Sequence, residues 1–134
     1  MAGLTNLETL LKTMQPELSD EEWVFATVPE QEVPDLKFRP LMTYYEKEGA
    51  TIITSKKNAD ENALKHDGSW ARITLNVHSS LEAVGFTAAI TPKLAEARIS
   101  TNIVSAYYHD HIFVQWETRE KAMQVLKKLS ENYP

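Results

Sequence analysis

Two histidines flank an aspartate at His109-Asp110-His111. Residues i and i+2 of a strand face the same side, so His109 and His111 could bind one zinc ion, with His78 as a third ligand. The same three residues also suit a tight hairpin corner, because Asp and His tolerate unusual turn dihedral angles. The sequence has neither an HExxH pattern nor a second His-x-His. We favour the hairpin corner and keep a metal-dependent hydrolase as an alternative function.

Other catalytic motifs are absent from the sequence. The chain has no cysteine, which excludes a disulfide framework, a thiol nucleophile and a thiolate metal site. Ser79-Ser80 lack a surrounding Gly-x-Ser-x-Gly elbow, and no P-loop or GxGxxG motif occurs. We therefore assign no catalytic residue, no metal and no cofactor.

Gly85 stands where a loop leads into an apolar, helix-patterned segment. Glycine there allows a ligand to approach the backbone, and the helix N-terminus offers unpaired N–H groups to a carboxylate. Ser100 and Asn102, on the strand expected alongside, could add hydrogen bonds. The alternative is a helix start that merely needs a flexible turn.

The composition is that of an ordinary globular protein, since 43% of the 134 residues are hydrophobic and 25% charged. The net charge of -5 argues against nucleic-acid binding, which needs a basic surface. We see no signal peptide and no apolar run long enough to span a membrane, so we expect a cytoplasmic protein.

Helix, strand and turn signals divide the first half of the chain. The elements they predict before residue 66 are a helix capped by Thr5 and Glu8 that ends near Gln15, a strand over 23–28, a proline-rich loop over 29–40, a hairpin over 42–54 (or a short helix over 40–48), and a helix from Ser55 to about Leu64.

The second half begins with a predicted turn at His66-Asp67-Gly68-Ser69, the best candidate for a module boundary. Residues 71–78 then alternate apolar and polar, which is typical of a strand with one buried face. The remaining predicted elements are a helix opened by Gly85 and kinked or split at Pro92, strands over 100–107 and 111–116, and a final helix capped by Thr118 with the face Ala122, Val125, Leu126, Leu129 and Tyr133.

The two halves resemble each other when the sequence is shifted by 63 residues. Tyr44-Tyr45 then falls on Tyr107-Tyr108, and Ser55 on Thr118. The match is short, and chance remains an alternative to a true repeat. We predict two modules, an irregular one over residues 1–67 with the N-terminal helix and a regular one over residues 68–134.

The second half resembles an ACT domain. The resemblance rests on strand 71–78, Gly85 at a helix start, the phrase LAEARIS over 94–100 and the hairpin SAYYHDHIFVQW over 105–116. More narrowly, the chain resembles bacterial tandem ACT proteins related to arginine-sensing ACT tandems and to the aspartokinase regulatory region. The match is strong over 70–131 and weaker over 20–65.

This resemblance implies an α+β fold of tandem ferredoxin-like βαββαβ modules, with antiparallel sheets and helices on one face. It also implies an amino-acid site at the interface between modules and no catalysis. The ligand contacts that it implies are Val84, Gly85 and Phe86 at the helix start, Ser100 and Asn102 on the second strand, and Tyr107 and Asp110 in the hairpin. Asp110 could pair with a cationic group of the ligand.

Two positions depart from the family pattern. Many ACT domains have Pro-Gly at the helix start, where this chain has Val84-Gly85. Many also have glycine at the position of Arg98, so the C-cap of this helix must form without the usual left-handed glycine.

We expect a non-catalytic regulatory protein that binds a small molecule, an amino acid, and forms a homo-oligomer through ACT–ACT pairing. Nucleic acid and membrane are not expected partners. The alternatives are the hydrolase using His78, His109 and His111, and an oligomerisation module that binds no ligand.

Overall fold

The computed structural model describes residues 6–132. These residues form two compact units. One is Asp20–Trp70, and the other combines the residues up to Ser19 with those from Ala71 onward. Within residues 6–132, no helix is long and apolar enough to cross a membrane.

The chain mixes helices with single strands and pairs of consecutive strands. In chain order they are α1 (Leu7–Thr13), β1 (Pro16–Leu18), β2 (Trp23–Val28), a 3-10 helix (Glu30–Asp35), β3 (Met42–Glu46), β4 (Gly49–Ser55), α2 (Lys56–Glu61), β5 (His66–Leu75), α3 (Phe86–Glu96), β6 (Thr101–Ser105), β7 (Asp110–Gln115), a second 3-10 helix (Trp116–Thr118) and α4 (Arg119–Asn132).

The Asp20–Trp70 unit is built on strands in the order β3-β4-β2-β5, each antiparallel to its neighbour. The predicted strand over 23–28 and the predicted hairpin are confirmed. Ser55 is the N-cap of α2, because its side chain accepts a hydrogen bond from the N–H of Asn58. The segment predicted as a loop over 29–40 contains a 3-10 helix. This helix accommodates Pro34, because the fixed φ of proline suits a helical turn.

The predicted turn at His66–Ser69 is wrong, because these residues lie in β5. Gly68 has a φ of 70°, and the pairing register with β2 shifts between Trp23 and Phe25. The Asp-Gly-Ser sequence therefore forms an irregularity within a long strand. Glycine supplies the left-handed conformation that this irregularity requires.

The other unit has the strand order β1-β5-β7-β6, in which β5 contributes its second half. Its helices α1, α3 and α4 pack against one another. The core contains side chains from all three helices and from the sheet, including the fully buried Leu10, Leu11, Ile73, Ile90 and Leu126.

The N-terminal helix α1 belongs to this second unit. Its N-cap is Asn6, whose Oδ1 accepts a hydrogen bond of 2.9 Å from the N–H of Thr9; the predicted cap Thr5 lies outside the described residues. The helix stops before Gln15, which has a φ of 43° and precedes Pro16. The contacts group residues 6–19 with the later module, whereas we predicted them with the first. The division of the chain into modules over residues 1–67 and 68–134 stays a prediction.

Each unit has the strand arrangement of a βαββαβ module, and the predicted α+β fold of tandem ferredoxin-like modules is confirmed. In the first unit the 3-10 helix stands where the first helix of a module would be, and the first half of β5 is the last strand. In the second unit the last strand is β1, which pairs antiparallel with β5 although it comes from the N-terminus.

Candidate functional site

Gly85 is the N-cap of α3 and has a φ of 88°, in the left-handed region. A Cβ there would meet Leu7 Cδ2 at 3.8 Å, so the backbone conformation rather than crowding favours glycine. No side chain caps this helix start. The first-turn N–H groups are therefore available to an acceptor from outside the helix.

The predicted hairpin lies beside this helix start, and its corner consists of Ala106–His109. The N–H of Ala106 donates a hydrogen bond of 3.0 Å to the carbonyl oxygen of His109. Asp110 is thus the first residue of β7, where it pairs with Ser105, and is not part of the corner.

Asp110 is a buried acid, with 6% of its surface exposed. Its Oδ2 accepts a hydrogen bond of 3.0 Å from Ser79 Oγ, and Ser79 is equally buried at 6%. A carboxylate withdrawn from water needs hydrogen-bond donors or a cation nearby. The hydroxyl of Ser79 supplies one such donor.

A pocket of about 210 Å³ opens beside the carboxylate of Asp110. It lies between the loop that follows β5, the start of α3 and the β6–β7 hairpin. Its lining residues are Ser79, Ser80, Leu81, Ala83, Phe86, Thr87, Ser105 and Asp110. The pocket thus combines one carboxylate with several hydroxyl groups and an apolar wall, which suits a small ligand that carries an ammonium group.

The structure brings two of the predicted ligand residues, Phe86 and Asp110, into this pocket. Phe86 is buried, with 3% of its surface exposed, and anchors the first turn of α3 in the core. Gly85 precedes Phe86 in the chain and is the N-cap of α3, but it does not itself line the pocket.

The other four predicted residues do not line the pocket. Val84 is 84% exposed and Tyr107 57% exposed. Ser100 immediately precedes β6, and Asn102 pairs with Phe113 within it; both side chains are exposed. That these four residues contact a ligand stays a prediction.

Sequence reasoning missed four hydroxyl residues of the pocket, namely Ser79, Ser80, Thr87 and Ser105. Thr87 was within reach of the sequence, since it is the second residue of the helix that Gly85 opens. Ser79-Ser80 were considered only as nucleophiles. Ser105 depends on the register of the hairpin, which the sequence does not specify.

The histidines do not form a metal site in the described residues 6–132, where no three His, Asp or Glu side chains converge. The ring of His78 packs against Tyr108 with 5.4 Å between centroids. The rings of His109 and His111 are 6.5 Å apart. This geometry gives no support to the hydrolase alternative.

His111 is half-buried and forms a hydrogen bond of 3.0 Å between its Nδ1 and Thr74 Oγ1. Burial lowers the pKa of His111 below its ordinary value, and the positive charges of Arg72 and His109 lower it further. The neighbouring Asp110 acts in the opposite direction. The neutral ring of His111 is therefore favoured.

Two family models described as ACT domains match the chain in tandem, one over residues 2–71 and one over residues 66–128. Comparison with curated proteins gives no match. Among solved structures, a protein of unknown function from Vibrio cholerae, described as a possible transport protein, is 43% identical. The similarity covers 92% of this chain and 95% of that chain, with a TM-score of 0.81.

More distant structures share the fold. A protein from Agrobacterium tumefaciens is 15% identical over 86% of this chain and 87% of its own, with a TM-score of 0.69. The ligand-free regulatory subunit of aspartate kinase from Thermus thermophilus is 10% identical over 88% of this chain and 98% of its own, with a TM-score of 0.66.

Proposed function

Because this chain belongs to the ACT domain family, we propose that it is a non-catalytic regulatory protein that senses a free amino acid. The ligand occupies the pocket between the start of α3 and the β6–β7 hairpin. The likeness of fold to aspartate kinase regulatory subunits supports a regulatory role.

The observation that carries this proposal is the pairing of a buried carboxylate with an uncapped helix start. Asp110 is buried and lines the pocket. Phe86 and Thr87, the first two residues of α3, line the same pocket, and no side chain caps their helix. An amino acid matches both features, since its ammonium group pairs with the carboxylate and its carboxylate accepts hydrogen bonds from the helix N–H groups.

The size of the pocket restricts the ligand. Its volume of about 210 Å³ is smaller than the range of roughly 300–1,000 Å³ that accommodates drug-sized molecules. The wall of Leu81, Ala83 and Phe86 provides apolar contact but no second charge. We expect a compact amino acid with an uncharged side chain.

A thermal-shift series with each of the twenty amino acids tests the proposal. A ligand that binds only the folded state must raise the melting temperature. We expect at least one amino acid to raise it at millimolar concentration, and calorimetry to give a binding isotherm. No shift with any of them would contradict an amino-acid-sensing function.

The Asp110→Asn variant tests the site itself. Asparagine retains an acceptor for Ser79 but removes the negative charge, so the fold should persist while affinity falls by about tenfold or more. Asp35→Asn is the matched control, because Asp35 is exposed and lies in the other unit. Equal affinity in both variants would show that the ligand does not use Asp110.

We further propose that the protein forms a homo-oligomer through its modules. The strand β3 is at the edge of its sheet, and its Tyr44 and Tyr45 are 65% and 57% exposed. An unpaired strand edge can pair with another chain. Analytical ultracentrifugation should give a mass above that of one chain, and Tyr45→Lys, which adds charge at this edge, should shift it toward the monomer.

An oligomerisation module without a ligand is the competing function. It shares the expected oligomer but gives no thermal shift with any amino acid. The two measurements together therefore separate the proposals.

A further inference from the structure

A second pocket, of about 570 Å³, lies in the Asp20–Trp70 unit and is predominantly polar. It is located where β2 begins and β4 ends, since Trp23 and Ser55 are register partners and both line it. This is the end of β2 away from the 3-10 helix that follows Val28. None of its lining residues belongs to the site around Asp110.

Two hydroxyl groups form a buried part of the lining. Thr54 is 1% exposed and Ser55 9% exposed. Thr54 Oγ1 accepts a hydrogen bond of 3.2 Å from Asn58 Nδ2, and Ser55 Oγ accepts one of 3.1 Å from the N–H of Asn58. A hydroxyl group that accepts retains a proton to donate. These two residues can therefore donate hydrogen bonds to an anionic group in the pocket.

Two cations lie on the same pocket, Arg39 from the loop before β3 and Lys57 from α2. Within residues 6–132, neither takes part in an ion pair. The neighbouring Lys56, in contrast, is paired with Asp60 at 2.6 Å. Both cations are exposed and can contact the carboxylate of a ligand. Arginine can bind a carboxylate through two parallel hydrogen bonds.

The opposite charge is also present, because Glu21 and Glu61 line the pocket. Trp23 and Leu41 add an aromatic and an aliphatic wall. Two cations, two carboxylates and two donor hydroxyls match a ligand that carries one charge of each sign. A dianion or a simple cation would meet repulsion from two of the four charged groups.

We propose that this pocket is a second ligand site, which binds a small zwitterion of the α-amino acid class. The carboxylate of the ligand lies against Arg39 and Lys57, its ammonium group against Glu61, and its side chain against the indole of Trp23. The site shares no lining residue with the Asp110 pocket, so the two ligand sites can be tested independently.

The test is an NMR titration of the isotopically labelled full chain with each of the twenty amino acids. We expect the indole N–H signal of Trp23 and the amide signals of Ser55 and Asn58 to shift with at least one of them. The amide and N-acetyl derivatives of that amino acid, which lack the carboxylate or the ammonium charge, should bind about tenfold more weakly or worse.

Arg39→Gln should weaken the binding that these shifts report by a similar factor of about ten, whereas Lys37→Gln, the control at an exposed cation that does not line the pocket, should not. Asp110→Asn should leave them unchanged. Shifts confined to Gly85, Thr87 and Asp110 would overturn this second site while supporting the first. Derivatives that bind as tightly as the free amino acid, or no shift at Trp23 with any amino acid, would also overturn it.

Discussion

Arg98 occupies a backbone conformation that usually belongs to glycine. Its φ is 62°, and it directly follows the C-cap Ala97 of α3. The N–H of Ile99 donates to the carbonyl of Leu94 at 3.0 Å, and that of Arg98 to Ala95 at 2.9 Å. This is the bonding pattern of a Schellman motif, formed here without glycine.

We predict that Arg98→Gly stabilises the protein by roughly 0.5–1 kcal/mol. The left-handed conformation costs an L-residue about 1–2 kcal/mol, and glycine avoids that cost while losing more backbone entropy on folding. Urea denaturation measures the difference. Arg98→Ala is the control, since it removes the same side chain but keeps the Cβ, and it should give no gain. A destabilised Arg98→Gly variant would contradict this account.

The lowered pKa of His111 predicts a pH-dependent stability. Unfolding restores the ordinary pKa, so the unfolded chain binds more protons between the two values. The stabilising contribution is complete above about pH 6.5 and is lost as the pH falls through this value toward the folded pKa. Urea denaturation at about pH 7.5 and at about pH 5 measures how much free energy of unfolding is lost on acidification. We expect this loss to be smaller for His111→Gln than for the wild type.

The control for this prediction is His78→Gln, whose histidine packs against Tyr108 and is not bonded to Thr74. It should retain the wild-type loss of stability. If His111→Gln and the wild type lose the same free energy of unfolding, the titration of His111 does not contribute.

At the scale of elements, the two residues that the repeat places in register, Ser55 and Thr118, play different roles. Ser55 accepts a hydrogen bond from the N–H of Asn58 and caps α2. Thr118 ends a 3-10 helix before α4, and its hydroxyl donates a bond of 2.8 Å to the carbonyl of Gln115. The first satisfies a helix N–H group and the second does not.

We therefore predict different costs for the same substitution. Ser55→Ala should lower the free energy of unfolding by about 1 kcal/mol, as expected for a lost N-cap. Thr118→Ala should change it by less than about 0.5 kcal/mol, as is usual for exposed positions. Equilibrium denaturation of both variants tests the pair, and equal losses would contradict the distinction.

Local patterns predicted the elements whose signals lie within a few residues. The strand over 23–28, the hairpin of β3 and β4 and the glycine-opened α3 are confirmed. Elements that depend on a distant partner were not found. β1 has three residues and exists because Leu75 and Ile73 pair with it, and the turn-like segment His66–Ser69 is a strand because β2 pairs with it.

The same division applies to the candidate site. That Gly85 and Asp110 contact a ligand stays a prediction, but both were identified as candidates, Gly85 from the glycine before an apolar, helix-patterned segment and Asp110 from the resemblance to ACT domains. The exact lining was not, since Ser79 meets Asp110 only through the fold, across 31 positions. The tyrosine pairs of the proposed repeat also occupy different structural positions, since Tyr44 lies in β3 and Tyr107 in a hairpin corner.

At the scale of the whole chain, the second unit depends on its N-terminal segment. Leu10, Leu11 and Met14 are fully buried in its core, and β1 completes its sheet. We predict that a fragment of residues 68–134 does not unfold cooperatively, because it lacks this part of the core. Near-ultraviolet circular dichroism during heating, compared with the full chain, provides the measurement.

A rearranged chain gives the matched control. Residues 71–132 followed by a flexible Gly/Ser linker and residues 6–19 should regain a cooperative transition, because Ser130 Oγ already reaches the carbonyl of Lys12 at 3.2 Å. A cooperative transition in the fragment alone would instead support a module that begins at residue 68.

The N-terminal strand and helix also determine when the protein can finish folding during its synthesis. The ribosome releases α1 and β1 before the elements they pack against, since Glu17 pairs with Thr74, and Lys12 meets Ser130, 118 positions later. The pairings of β2, β3 and β4 span far shorter separations and form earlier. We expect the nascent chain to expose Leu10, Leu11 and Met14 until α4 emerges, which makes this segment the natural binding site for a chaperone.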